Sequence, residues 1–312
     1  MYMKKICLII FSVSLGLIGC DKVDDPYKGI DRPTEPTGPI DTSGAIAFCG
    51  FDEYDSELND TTYNDSTLNI RKVLLEEFTG HLCGFCPPQS KKLVAKSENE
   101  LNGKVIVMSI HAANFAALVP SKGYTTDFTT PEGNDLQEKY KGGNTAPSLM
   151  MNRSNNPASA GQWDQLLDSL NQSGYYNDPV VKFKVRNIYN ETIKTGKIDL
   201  DIEFLKSFSG IDFAIGVYIT EDNILAKQKY YGENPEDVDN YDHRHVIRTA
   251  ATPTFGASFI SGDVALNQKK SASFCYELKE EWNPDKCTVV IFIGNSNNSQ
   301  IYQAEEVHVT SE

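Results

Sequence analysis

Two cysteines with two residues between them, Cys83-Gly84-Phe85-Cys86, follow directly on the apolar run Val73-Leu74-Leu75 and the step Glu77-Phe78. After them come Pro87 and Pro88, then Leu93, Ser97 and Leu101 at helical spacing, with Gly103 as a stop. Prolines are tolerated in a first helical turn because the N–H groups there have no helical partner. A second apolar run, Lys104-Val105-Ile106-Val107-Met108-Ser109-Ile110, has the length of a strand. Strand, helix, strand is a βαβ unit whose strands run parallel and are buried, with the cysteines at its first turn. Cysteines so placed can close a small disulfide, and the helix N-terminus favours the thiolate of the first. The arrangement is that of a dithiol redox centre.

The start of the chain says where such chemistry would occur. Lys4 and Lys5 precede an apolar stretch from Ile6 to Ile18, which ends in Leu17-Ile18-Gly19-Cys20. This reads as a secretory leader over residues 1–19, too short for a stable membrane span. Its last four residues resemble the lipobox of bacterial lipoproteins, which implies a lipid on Cys20 that holds the mature chain to a membrane. The segment 20–69 begins Asp21-Lys22-Val23-Asp24-Asp25 and carries Pro26, Pro33, Pro36 and Pro39 with no apolar periodicity, so it reads as a solvated acidic tether. Acidic residues just after the lipidated cysteine resemble the export signals of some Gram-negative surface lipoproteins. The expected location is the outer membrane, on its periplasmic or surface face. The net charge of -14 argues against nucleic acid as a partner, since binding phosphate needs a basic face.

Setting aside Cys7 and Cys20, the chain holds Cys49, Cys83, Cys86, Cys275 and Cys287, an odd number in a compartment that favours disulfides. Cys83 with Cys86 is the local pair. Cys275 with Cys287 is the expected structural disulfide, which leaves Cys49 alone.

Farther along, Asn134 to Lys141 predicts a short helix, Ser148 to Asn152 a short strand, and Trp163, Leu166, Leu167 and Leu170 the apolar face of a closing helix. Beyond Ser173-Gly174 to Asp178-Pro179 the period changes. Val181, Phe183 and Val185 alternate with charged residues, as do Ile198, Leu200, Ile202 and Phe204, and further strands are predicted over 212–220, 271–278 and 288–293. This pattern reads as an antiparallel, immunoglobulin- or fibronectin-like β-sandwich over 175–312, after an α/β domain over 70–174. Tyr230 to Tyr241, acidic and aromatic, is predicted to be an exposed loop.

Glu77-Phe78-Thr79-Gly80-His81-Leu82-Cys83-Gly84-Phe85-Cys86 resembles the active-site segment of the thioredoxin superfamily, with an acid six residues before the first cysteine. Thr145-Ala146-Pro147 resembles that superfamily's cis-proline loop, which implies that Pro147 faces the dithiol and shapes a groove for extended peptides. Together with the lipobox, Asn152-Arg153 and Tyr241-Asp242-His243-Arg244-His245, these segments resemble the twenty-eight-kilodalton outer membrane protein family of Gram-negative lipoproteins. The chain departs from thioredoxin itself at Thr79 and Leu82, where tryptophans would stand, and at Phe85, where proline would. The excursion from Ala112 to Tyr140 is also longer, with His111, Phe115, Tyr124 and Phe128 as candidate groove residues.

The expected chemistry is thiol–disulfide exchange on envelope or surface proteins. Cys83 attacks, Cys86 resolves the mixed disulfide, and Glu77, at the superfamily's position for a buried acid, takes the proton. The alternative is a binding protein or adhesin on an inactive thioredoxin-like scaffold; an exchange enzyme needs an accessible Cys83, whereas a scaffold can bury it. Nothing in the pattern calls for a cofactor. A lone CxxC is half a zinc site without a second pair, and His243 and His245 lack a third ligand, so no metal is expected. His81 reads as a solvent-exposed loop histidine, with a role beside the Cys83 thiolate as the alternative.

Overall fold

The computed structural model describes residues 49–50, 59–63, 70–154, 156–172 and 174–310, all within one unit, Asp41–Glu312. The expected leader, Cys20 and most of the tether lie outside the described residues.

Segments that are apolar whichever way their side chains point become the inner strands of a large sheet. In chain order the main elements are β1 (Asn59–Tyr63), β2 (Val73–Thr79), α1 (Cys86–Glu98), β3 (Val105–His111), α2 (Pro131–Tyr140), β4 (Ser148–Met151), β5 (Ala158–Ser159) and α3 (Trp163–Gln172). There follow β6 (Val181–Asn190), β7 (Thr195–Phe204), β8 (Phe213–Glu221), β9 (Ile224–Lys229), β10 (Asp237–His243) and β11 (Val246–Ala250). The last are β12 (Ala257–Ile260), β13 (Lys269–Glu277), β14 (Cys287–Asn295) and β15 (Ile301–His308). The protein is β-rich, with a mixed sheet and few helices.

A nine-stranded sheet runs β15-β14-β8-β11-β3-β2-β4-β5, with β12 paired to β8. β2 and β3 are parallel, as the βαβ reading requires, and every residue of both is buried. A second sheet, β1-β6-β7-β13, supplies the inward faces Val181, Phe183 and Val185 and Ile198, Leu200 and Ile202. They pack against Phe213, Ile215 and Val217 of β8 and Val289, Ile291 and Ile293 of β14.

The nine-stranded sheet carries strands from both sides of the expected boundary at 174/175. The join is slight: β11 meets β3 in parallel at Val246 and Ser109, and the Ser109 N–H donates to the His245 carbonyl at 2.7 Å. Alternation holds over Val181 to Asn187 of β6 and Ile198 to Phe204 of β7, but β8 and β14 are buried on both faces, as strands inside a large sheet must be. One core belongs to 73–176, around Leu93, Trp163 and Leu167, and another to 180–309; a third mixes Phe78, Ile106 and Met108 with Tyr218, Val290 and Phe292.

The expected Cys275–Cys287 bridge does not form. Cys275 is joined to Cys49, and Cys287 is a buried free thiol. Period-two geometry explains this: in β13 Ala272 and Tyr276 point into the core, so Cys275 points outward, whereas Cys287 starts β14 within that core. Burial pushes the Cys287 thiol well above its usual pKa, a setting that leaves it inert.

Candidate redox site

β2 ends at Thr79, and the chain turns through Gly80 to Phe85 before Cys86 opens α1, whose first turn takes Pro87 as expected. The Cys83 N–H donates to the Gly80 carbonyl at 2.9 Å, the Cys86 N–H to the Cys83 carbonyl at 3.2 Å, and the Leu82 N–H to the Phe115 carbonyl at 2.9 Å. A Cβ on Gly80 would stand 2.5 Å from the Phe115 backbone, so only glycine fits there. Cys83 and Cys86 form a disulfide, and their residues are only 2% and 1% exposed.

Alternation along β2 sends Glu76 and Glu77 to opposite faces of the sheet. Glu76 forms a fully buried ion pair with Arg153, whose Nη2 lies 2.7 Å from Oε1. Arg153 also donates to the Thr254 carbonyl at 3.2 Å and lies over the Phe292 ring, so this pair joins the two segments of the sheet. Glu77 faces α1, with the Ser90 hydroxyl 2.5 Å from Oε1 and the Ser109 hydroxyl 3.2 Å from Oε2. Burial pushes its carboxyl up to about 7, against the lowering effect of the two hydroxyls.

Ser90 lies one helical turn after Cys86, with its Oγ 3.1 Å from the Cys86 carbonyl. A hydroxyl has a single proton, so its bonding depends on the charge of Glu77. When Glu77 is ionised, Ser90 donates to it. When Glu77 is protonated, it donates to Ser90, which is then free to donate to the Cys86 carbonyl. The link from the acid to the second cysteine thus runs through a serine that the spacing did not single out.

The β9–β10 hairpin lies across the dithiol loop. The Lys229 N–H donates to the His81 carbonyl at 2.8 Å and the Tyr231 N–H to the Gly84 carbonyl at 2.9 Å. The buried Gln228 amide donates to the Cys83 carbonyl at 3.1 Å. Phe85, 67% exposed, meets the Tyr231 ring edge-on at 4.8 Å between centroids. Of the predicted exposed loop, residues 231–236 form an exposed turn as expected, while 237–241 belong to β10, and at the start of the turn Tyr231 is bonded to the loop that carries Cys83. The long excursion braces the hairpin, since the Tyr124 hydroxyl donates to Asp237 at 2.7 Å.

His81 is buried rather than exposed. Its Nε2 lies 2.9 Å from the Ala117 carbonyl, which can only accept, so this nitrogen carries the proton. His111, His243 and Phe128 form a three-ring cluster, each histidine 4.5 Å from Phe128 and the two histidines 5.3 Å apart between centroids. His111 Nδ1 and His243 Nε2 are buried without a hydrogen-bond partner. Burial holds His243 down to about 3 and His111 well below the usual histidine range. His245 falls after β10 with φ +55°, so it does not share a strand face with His243. Among the described residues no group of three or more metal-ligating side chains converges.

Ala146-Pro147 is a cis peptide, immediately before β4. Ser148 of β4 pairs with Phe78, so Pro147 lies level with Thr79, at the end of the sheet that carries the dithiol.

Residues 134–312 match the family described as outer membrane protein Omp28. The chain belongs to the Omp28 family. The match begins after the dithiol, inside α2, and takes in the Pro147 loop, Arg153 and the β9–β10 hairpin. With the family comes the localisation expected from the leader, an outer membrane lipoprotein; among the described residues no helix is long and apolar enough to cross a membrane. Of solved structures, HBP35 of Porphyromonas gingivalis is similar at a TM-score of 0.52 and 13% identity, over 77% of this chain and 76% of its own, a likeness of fold alone. A protein from Agrobacterium tumefaciens gives 0.45 at 16% identity, covering 78% and 96% of the two chains. A domain of the outer membrane lipoprotein Omp28 from Porphyromonas gingivalis gives 0.29 at 12% identity, over 42% and 89%. No curated protein matches the chain.

Proposed function

We propose that this Omp28-family protein carries out thiol–disulfide exchange in the cell envelope, using the Cys83–Cys86 dithiol. The observation that carries the reading is Glu77, a buried carboxyl pushed up to about 7 that reaches the helix turn of Cys86 through Ser90. A group that titrates near neutral pH beside a dithiol can take the resolving thiol's proton and return it. In the same proposal, 70–174 is a thioredoxin-like segment, with the dithiol at a strand-to-helix turn and Pro147 at the same sheet end, and 175–312 is a β-sandwich that shares one of its sheets with it. The protein is held to the membrane by lipid on Cys20, and its partners are proteins or peptides with thiols or disulfides.

One observation favours a second reading, a binding protein on a redox-inert scaffold: Cys83 is nearly fully buried under the β9–β10 hairpin. Exchange with a disulfide-bonded model peptide separates the two. Turnover with glutathione as electron donor, abolished by Cys83→Ser and by Cys86→Ser, supports exchange; a disulfide that glutathione and dithiothreitol leave intact in the folded protein supports the scaffold.

A further inference from the structure

The two sulfurs of the dithiol have different surroundings. On the Cys83 side the hairpin closes the loop, with Gln228, Lys229 and Tyr231 bonded to the backbone of residues 81–84. On the other side, between α1 and the hairpin, lies a cavity of about 540 Å³. Cys86 lines it and Cys83 does not; Glu77, Ser90 and His111 line the same cavity. Its volume falls in the range of sites that hold small molecules, of roughly 300 to 1,000 Å³. Its interior offers two buried ring nitrogens without partners, His111 Nδ1 and His243 Nε2. Its lining carries both charge signs, Lys91 and Arg244 against Glu98, Glu233 and Asp242, with Arg244 paired to Glu98 at 3.2 Å, and a zwitterion meets both signs there.

We propose that this cavity admits a low-molecular-weight zwitterionic thiol or its disulfide, and that exchange with it takes place at Cys86 rather than Cys83. The inference rests on the dithiol being redox-active and adds the substrate class and the sulfur attacked. In the reducing direction the small thiolate attacks Cys86 Sγ; a bond forms between the two sulfurs, the Cys83–Cys86 bond breaks, and Cys83 leaves with the electron pair as a thiolate. A second small thiolate then attacks the small molecule's own sulfur in the mixed disulfide. It carries that molecule away as a disulfide and frees the Cys86 thiolate, which takes a proton from Glu77 on the wall of the same cavity. Two small thiols are oxidised and one protein disulfide is reduced. The reverse sequence oxidises the dithiol.

The test uses the full chain and glutathione as the probe. Oxidised protein is mixed with reduced glutathione, quenched in acid and mapped by mass spectrometry. In parallel, Cys83→Ser and Cys86→Ser proteins are treated with oxidised glutathione, and the rate at the remaining thiol is measured. The expected result is an adduct on Cys86 in the wild type, and a rate at Cys86 at least tenfold above that at Cys83. Ala95→Trp, on the exposed flank of α1 that lines the cavity, is expected to slow the Cys86 reaction at least fivefold. An adduct on Cys83, or a rate at Cys83 equal to or above that at Cys86, overturns the inference while leaving exchange standing. An unchanged Cys86 rate in Ala95→Trp overturns the cavity as the route. A disulfide that neither glutathione nor dithiothreitol opens in the folded protein overturns both this inference and the proposed function.

Discussion

The backbone N–H of Tyr231 donates to the carbonyl of Gly84 at 2.9 Å, and through that bond the second half of the chain closes over the dithiol of the first. A Cβ on Gly84 would meet the Tyr231 ring at 2.6 Å, so the approach is as near as glycine allows. Lys229 and Gln228 extend the contact to His81 and Cys83.

Loosening this cover should expose Cys83. Gln228→Ala removes a buried amide and leaves the Cys83 carbonyl with only its local bond from the Cys86 N–H, a change worth about 1–3 kcal/mol. Local opening becomes easier by the same amount. Alkylation of Cys83 in the reduced protein is expected to rise about five- to tenfold or more, read by mass mapping, with the melting temperature lowered only slightly. An unchanged rate would mean that the hairpin does not control access.

Glu77 makes stability depend on pH in the opposite sense to a paired carboxylate. Its pKa is raised from 4.5 to about 7, so the native state keeps a proton that the unfolded chain gives up. Its favourable contribution is full below pH 4.5 and lost as the pH rises through 7, on the order of 3 kcal/mol in all. Glu77→Gln should therefore be more stable than wild type at pH 8 and about equal at pH 4, in denaturant melts. The same variant should exchange more slowly, by about 10²-fold, the usual contribution of a general acid or base. A variant less stable than wild type at pH 8 would contradict the buried, protonated carboxyl.

The histidines act on the acid side. Burial lowers His243 to about 3 and lowers His81 and His111 as well. As the pH falls below the unfolded value of 6.5, the unfolded chain takes protons first and native stability declines. His243→Asn removes one such proton and should flatten the slope of stability between pH 6 and 4 by up to about 1.4 kcal/mol per pH unit. Stability curves at three pH values check this; an unaltered slope would place His243 in a more solvated setting.

Peptide mapping under non-reducing conditions should join Cys49 to Cys275 and show Cys287 alkylated only after denaturation. Cys275→Ser should release Cys49 as a reactive thiol and destabilise the protein by about 2–4 kcal/mol, the usual effect of losing a long-range disulfide. A Cys275–Cys287 peptide would contradict the observed facing of β13.

Much of the site's frame was legible because local patterns carry it. The runs at 72–78 and 104–110 place apolar residues at consecutive positions, Val73-Leu74-Leu75 and Val105-Ile106-Val107-Met108, as a strand buried on both faces requires, and they became β2 and β3. Trp163, Leu167 and Leu170 sit at helical spacing and are buried, while Leu166 is half-buried at the edge of the same face. What was not legible depends on where distant segments meet. No local feature of Val246 announces that it will pair with Ser109 and join two sheets into one. The partner of Cys275 is set by which face of β13 looks outward, and two cysteines twelve residues apart suggested the wrong pairing. The acidic and aromatic stretch from Tyr230 reads as a solvated loop and is one over 231–236, but nothing local announces that Tyr231 meets the dithiol loop, through its N–H to Gly84 and its ring against Phe85.

The most direct test of the account is the reduction potential of Cys83–Cys86 in the full chain, from alkylation and mass mapping across a series of glutathione buffers, with Cys83→Ser as control. The account predicts a reversible transition between roughly -120 and -270 mV, the span of known dithiol catalysts. A pair that stays oxidised below about -300 mV would contradict it and make the disulfide a structural one.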